Sequence, residues 1–413
     1  MTVSLDIHAN NASPPVSNQN SQVGNLSEKK DQKYRRHALR RSSSALMRQE
    51  RVSCCGQKTI GGFASLHHHQ GQSHFGSVET CGSVWMCPVC AAKITQGRLT
   101  ELDALLDSHR LVSGHAYMAT LTIPHHRFQS CAELKQAVAN AWRKVKTGKG
   151  WQTARDSNLW IGDIRALEIT HGDNGWHPHL HILVFFDHHA TDGQMLEFGE
   201  WLFETWAKSV ERNGFGRCSR NAFRYDRVND AKGAAEYVGK WGVAMEMTKA
   251  HVKRSKNGRT PWQILTDYNE TGDERDAGLF QEYAIAFKGA RQLTWSRAFK
   301  RRNLSEIPSI RKRYLEGEEL SDQELSEEPT MKETQTAFIT RDLFKTISGK
   351  AMTADVLSAQ ERGGLDEVLT LLSNRGVLWK ITEVPGLLEG TFVPMLSPRT
   401  SRGCSPEVFP KPT

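Results

Sequence analysis

The chain has no long apolar run. Its most hydrophobic stretch, His181-Ile182-Leu183-Val184-Phe185-Phe186, is far short of the roughly 18 residues that cross a bilayer. It also lacks a basic N-terminal region followed by an apolar one, so no secretory signal is expected. No internal repeat is present, and hydrophobic residues make up 38% of the 413. Together these absences argue against a membrane-embedded class; we expect a polar cytoplasmic protein with no membrane partner, long enough for two or three domains. Acidic residues are outnumbered, 46 Asp and Glu against 54 Lys and Arg, for a net charge of +8. That excess admits a polyanionic partner without identifying one. Cysteine is scarce and unevenly spread: of eight, five lie between Cys54 and Cys90. Without a secretion signal, clustered cysteines read as metal ligands before disulfides.

Residues 1–50 read as a disordered N-terminal arm, poor in apolar periodicity. The arm ends in the basic stretch Tyr34 to Arg51, either a solvated segment or a phosphate-contacting one. A Cys-rich segment spans 51–95 and a main domain 96–300. A linker, basic and then acidic, occupies 301–335, and 336–413 reads as a small helical region with a flexible tail. Within the main domain, helical spacing covers Leu99 to Leu106 and Cys131 to Val145, and an amphipathic helix runs from Met195 to Gly214. Strand patterns cover His115 to Ile123, Leu159 to Thr170, His177 to Phe186 and Ala222 to Val228, and a further segment from Gly289 to Phe299 closes the domain.

The turn His171-Gly172-Asp173-Asn174-Gly175 joins two of these strands. Alternation puts His177, His179 and His181 on one face. A hairpin symmetric about Asp173 and Asn174 sets Glu168 opposite His179, Thr170 opposite His177 and Ala166 opposite His181. Opposed residues have Cβ atoms about 4.5–5.5 Å apart. One carboxylate and two imidazoles would therefore converge, a donor set suited to a divalent ion with open positions. The plain alternative is a row of surface histidines on a half-buried strand. His177 could be a third ligand or a substrate contact.

Cys81, Cys87 and Cys90 have the spacing of a zinc knuckle, and either Cys54 or Cys55 could complete a tetrahedral site. His67, His68, His69 and His74 are substitutes if only three thiolates bind. Cys131, Cys218 and Cys404 are isolated and expected only to pack. A last motif, Asp230 to Trp241, reads as a helix with Asn229 or Asp230 as N-cap and with Tyr237 and Lys240 on one face. A tyrosine hydroxyl, with a pKa near 10, is a poor nucleophile unless a cation or metal favours the phenolate. Taken alone, such a tyrosine is more simply a core residue.

Taken in order, Ala119-Thr120-Leu121-Thr122-Ile123-Pro124, His179-Leu180-His181 and Ala234-Ala235-Glu236-Tyr237-Val238-Gly239-Lys240 resemble the three motifs of the HUH superfamily of single-strand endonucleases. The likeness covers roughly residues 50–300 and is greatest to single-tyrosine plasmid rolling-circle replication initiators, in which a segment similar to Thr80–Ile94 precedes the nuclease domain. The resemblance implies an α+β fold, a central antiparallel β-sheet flanked by helices and preceded by a small zinc-binding segment. It implies Mg²⁺ or Mn²⁺ on Glu168, His179 and His181, attack by Tyr237 with Lys240 beside it, and a 5′-phosphotyrosine that is later rejoined. Implied partners are plasmid origin DNA, duplex and single-stranded, with host helicase and polymerase in a bacterial cytoplasm. One departure stands out. Some relatives carry a glutamate one helical turn before the tyrosine, where this chain has Gly233; Glu236 and Asp230 are the nearby acids. Other readings are a transposase or relaxase of the same superfamily, a non-catalytic zinc-containing DNA-binding regulator, and a non-haem metal oxidase.

Overall fold

A computed structural model describes residues 19–69, 71–111, 113–228, 258–291, 293–296, 334–385 and 392–398. They form an α+β structure with two five-stranded sheets. The first contains β3 (His115–Thr122), β4 (Trp160–Gly172), β5 (Gly175–Phe186), β6 (Phe223–Arg227) and β7 (Leu293–Trp295). Its strand order is β6-β3-β5-β4-β7, antiparallel throughout, so the histidine strand β5 is central. A proline on a central strand would ordinarily break the ladder. Pro178 escapes this because pairing with β3 ends at Thr122↔His179, one residue short of it.

Both faces of β5 are used. On one, Leu180, Ile182, Val184 and Phe186 join the main core with α3 (Cys131–Val145), α5 (Asp192–Arg212) and α7 (Glu274–Phe287). On the other, Leu183 and Phe185 meet Leu102, Leu105 and Leu106 of α2 (Pro88–Leu111). Burying each of these side chains stabilises by about 1.5–3 kcal/mol. The histidines continue that second face beyond the end of the α2 contact. The strand is thus fixed at its apolar end, and its polar end is held by what is fixed.

Helices α3 and α5 carry the expected apolar stripe and start at Ser130 and Thr191, whose side chains accept the N–H of Glu133 and Gln194. Sequence reading missed α4 (Gly148–Ser157), α6 (Pro261–Thr271) and α7. The signal for α6 was present: Thr260 and Gln263 form a capping box around Pro261.

The second sheet, order β2-β1-β8-β10-β9, joins distant parts of the chain. Strands β1 (Phe63–His69) and β2 (Gln72–Gly76) come from the Cys-rich segment. They pair with each other and β1 pairs with β8 (Thr334–Thr340), while β9 (Trp379–Pro385) and β10 (Phe392–Pro398) complete the sheet. Helices α8 (Arg341–Gly349) and α9 (Thr353–Asn374) cover one face through Leu343, Phe344, Ile347, Val356 and Leu372. The C-terminal region is therefore not only helical: it supplies three of the five strands, and one of them, β8, pairs with β1 far away in sequence.

The arm expected to be disordered also has structure. Residues 19–46 form α1 (Gln19–Leu46), and its later part packs by specific contacts rather than by an apolar stripe. Leu39 is buried, Arg40 donates to the Cys55 carbonyl, Ser43 Oγ to the Met86 carbonyl at 2.6 Å and Ser44 Oγ to the Val52 carbonyl at 2.8 Å. The basic stretch is thus spent partly on binding the Cys-rich segment.

The described chain leaves the first sheet and rejoins it at opposite ends. It leaves at Val228, whose N–H bonds the Ala116 carbonyl at 2.9 Å, near the end of the sheet away from the hairpin turn. It returns at Gly258 and Arg259, where Arg259 exchanges two backbone hydrogen bonds with His171 at the turn end. The segment 229–257, with Asp230, Glu236, Tyr237 and Lys240, lies outside the described residues, as does most of the 301–335 linker. Among the described residues no helix is long and apolar enough to cross a membrane.

A histidine–carboxylate face and a four-cysteine cluster

The hairpin register is the one its symmetric turn demands: Glu168↔His179, Thr170↔His177 and Ala166↔His181. On the opposite neighbour, Thr120 pairs with His181 and Thr122 with His179. All these side chains share one face of the sheet. Gly175 permits the turn, with φ +84, and a Cβ there would meet the Arg127 backbone at 2.8 Å.

The contact Glu168 makes is diagonal. Its Oε2 lies 3.1 Å from His181 Nε2, and His181 Nδ1 lies 3.1 Å from Thr120 Oγ1. Burial pushes the Glu168 carboxyl upward, but the His181 hydrogen bond and the neighbouring imidazoles outweigh it and hold the pKa below the ordinary value. Glu168 is then an ionised acceptor, so a neutral His181 carries its proton on Nε2 and takes a hydrogen bond from Thr120 at Nδ1. His179 stands 6.1 Å from His181 between ring centroids, nearly parallel to it, and 4.2 Å from His177. Burial lowers the pKa of both; for His177 the value falls to about 4, helped by His179 and His125. These rings are neutral at pH 7, the form that coordinates metals.

Glu168, His179 and His181 do not bring three donor atoms within 4.8 Å of one another. Closing the set requires His179 to turn toward the Glu168–His181 pair. Sequence reading missed two participants. Thr120 was noted as part of a strand motif but not as the partner of His181. His125, from the segment after β3, stacks on His177 at 4.5 Å.

The cysteine cluster is complete. Cys55, Cys81, Cys87 and Cys90 are all buried, with their sulfurs within 4.8 Å of one another. Cys55 lies 3.6 Å from Cys87 and 3.5 Å from Cys90, and Cys81 lies 3.7 Å from Cys90. These are far from disulfide lengths. They approach the edge of about 3.8 Å that follows from four Zn–S bonds near 2.3 Å in a tetrahedron. Of the two alternatives Cys54 and Cys55, it is Cys55 that joins the cluster, while the Cys54 sulfur faces Ser53 Oγ at 3.8 Å. His67 and His74 are not needed as substitutes and stack on each other in the second sheet. Hydrogen bonds from Cys81, Cys87 and Cys90 hold the Cys55 thiol well below its ordinary pKa, while burial pushes Cys87 well above. The cluster begins α2: Pro88 follows Cys87, and the Cys90 N–H points at the Cys87 sulfur at 3.5 Å. One helix therefore runs from the cysteines to the same face of the sheet that carries the histidines.

A family model described as "Replication protein" matches residues 74–339, a span that includes Cys81, Cys87, Cys90, Glu168, His179, His181 and Tyr237. A Streptomyces lividans protein described as "Protein rep" is 26% identical over 283 residues, 52% of this chain and 62% of its own length. A "Neomycin resistance protein" of Streptomyces cyanogenus is 30% identical over 139 residues, 28% of this chain and 32% of its own. The chain thus spans less than two thirds of either relative. No solved structure gives a significant match. With more than half its length inside the family match, this chain belongs to the replication-protein family.

Proposed function

We propose that the protein is a plasmid rolling-circle replication initiator that nicks one origin strand through Tyr237 and later rejoins it. The observation that carries this reading is the Glu168 carboxylate joined to His181, with His179 in register, where β4 meets the central strand of an antiparallel sheet. Glu168, His179 and His181 would hold Mg²⁺ or Mn²⁺, which when bound supplies Lewis-acid polarisation of the scissile phosphate. In the chemical step the Tyr237 oxygen attacks phosphorus and the P–O3′ bond breaks. The 3′-oxygen leaves and takes up a proton as a free 3′-OH, and the 5′-phosphate stays on the tyrosine. Lys240 would favour the phenolate or clamp the phosphate. Rejoining reverses the exchange without ATP, and Glu236 or Asp230 is the acid available to end the cycle. We assign zinc to Cys55, Cys81, Cys87 and Cys90 as a structural ion. The partners are duplex and single-stranded origin DNA, and then host helicase and polymerase in the bacterial cytoplasm.

The test is incubation with Mn²⁺ and single-stranded DNA from the plasmid's own origin, followed by denaturing electrophoresis. A protein–DNA adduct is expected for the wild type and none for Tyr237→Phe. An adduct of equal yield with the phenylalanine variant would reject the mechanism.

Thr120 has a defined place in this reading. Its hydroxyl can donate to His181 Nδ1 when Nε2 carries the proton, and accept from Nδ1–H when Nε2 is given to a metal. Valine can do neither. Thr120→Val is expected to weaken Mn²⁺ binding about 10- to 100-fold, the usual cost of losing a partner of a ligating histidine, and Thr120→Ser to keep it. Calorimetric titration with Mn²⁺ reads this directly, and equal affinities for threonine and valine would remove Thr120 from the site.

A further inference from the structure

The segment following β3 reads Pro124-His125-His126-Arg127-Phe128-Gln129-Ser130, and no acidic residue occurs in it. Its Phe128 is 81% exposed, the most exposed of the large hydrophobic side chains among the described residues. The Arg127 guanidinium lies over that ring at 4.8 Å. An aromatic ring left in water is not there for the core, and a cation stacked on it keeps one face occupied and the local charge positive.

The segment is nonetheless firmly placed. The His126 N–H donates to Gln129 Oε1 at 2.9 Å, and the Gln129 N–H donates to the His126 carbonyl at 3.1 Å. Ser130 caps α3. His125 stacks on His177, the histidine that begins the row, and the Arg127 backbone abuts Gly175 closely enough to exclude a Cβ. The exposed ring is therefore mounted on the side of the histidine hairpin, at a fixed offset from Glu168 and His181.

We infer that Phe128 is a stacking platform for an unpaired base of single-stranded DNA threaded past the histidine face, with Arg127 meeting the adjoining phosphate. Stacking on an exposed aromatic flanked by positive charge is how unpaired strands are held without sequence readout, because every base has a π-face. A duplex keeps its bases stacked on one another and offers the ring none. This rests on the proposed nicking function and adds how the displaced strand is held there.

The test uses the full chain in buffer without Mg²⁺ or Mn²⁺, so that no cleavage intervenes, and follows anisotropy of a labelled single-stranded origin oligonucleotide and of the same sequence as duplex. Phe128→Ala is expected to weaken single-strand binding about 5- to 150-fold, the range for losing one base–aromatic stack. Duplex binding should be unchanged. Phe128→Trp should restore single-strand binding and Phe128→Leu should not. Full affinity in the alanine variant, full rescue by leucine, or no single-strand binding by the wild type would each overturn the platform. The adduct assay separates this from the nicking reading. If wild type forms no adduct while Phe128→Ala still loses single-strand affinity, the platform stands and the nuclease reading falls. If Phe128→Ala keeps full single-strand affinity and forms adduct as wild type does, the platform falls and the nuclease reading stands.

Discussion

Cys87→Ser is expected to cost the protein the zinc proposed for the cluster and the start of α2 together. The Cys87 sulfur is fully buried, lies 3.6 Å from Cys55 and accepts the Cys90 N–H. Serine offers a harder, shorter ligand and leaves three thiols in a space shaped for four. Zinc binding in small cysteine sites is worth about 10–16 kcal/mol of folding free energy, more than the whole stability of many domains at about 5–15 kcal/mol. Losing it should lower the melting temperature by about ten degrees or more. Metal analysis of the purified protein should give one zinc per chain for wild type and for Cys54→Ser, and much less for Cys87→Ser. A strong chelator added to the wild type, which folds with all four thiols, should reproduce the loss of stability. Zinc retained by the Cys87 variant and lost from the Cys54 variant would reverse the assignment of the fourth ligand.

The second large effect is expected at the histidine face. His181→Ala removes one of the proposed ligands and also strips Glu168 of the hydrogen bond that offsets the burial of its carboxylate. His179→Ala removes a proposed ligand alone. Both should lower single-turnover cleavage by about a thousandfold or more, the scale of the several kcal/mol that a bound Lewis acid contributes to transition-state charge. Duplex binding, which needs no metal chemistry, should fall little. His177→Ala is the informative companion: a kcat loss equal to that of His179→Ala would make it a third ligand, and a rise in KM alone would make it a substrate contact. Cleavage undiminished in His179→Ala and His181→Ala would take both out of the active site.

What could be read in advance was what local rules decide. The register of β4 with β5 follows from the symmetric turn at Asp173 and Asn174, because side-chain alternation allows no half-step. The knuckle Cys87-Pro-Val-Cys90 is local too. The choice between Cys54 and Cys55 was not, since it depends on the turn after Val52, where Arg40 of α1 holds the Cys55 carbonyl. Gly56, with φ +62, gives that arginine room: a Cβ would meet Arg40 Nη1 at 2.6 Å. The second sheet was hidden for the same reason. Residues 334–340 become a strand because β1 offers them an edge, and nothing within that heptapeptide announces a partner at residues 63–69. Thr120 was legible as strand sequence, but its hydroxyl acquires meaning only when β3 lies beside His181.

The β1–β8 pairing has a consequence in time as well as in space. A ribosome making about 5–20 residues per second needs on the order of fifteen to fifty seconds to travel from β1 to β8. Throughout that interval the nascent β1–β2 hairpin has an open edge, the state that invites pairing with the wrong chain. The first sheet can close earlier, once β7 has left the exit tunnel. Synthesis therefore imposes an order: the histidine face is assembled first, and the module that joins the two ends of the chain is sealed last.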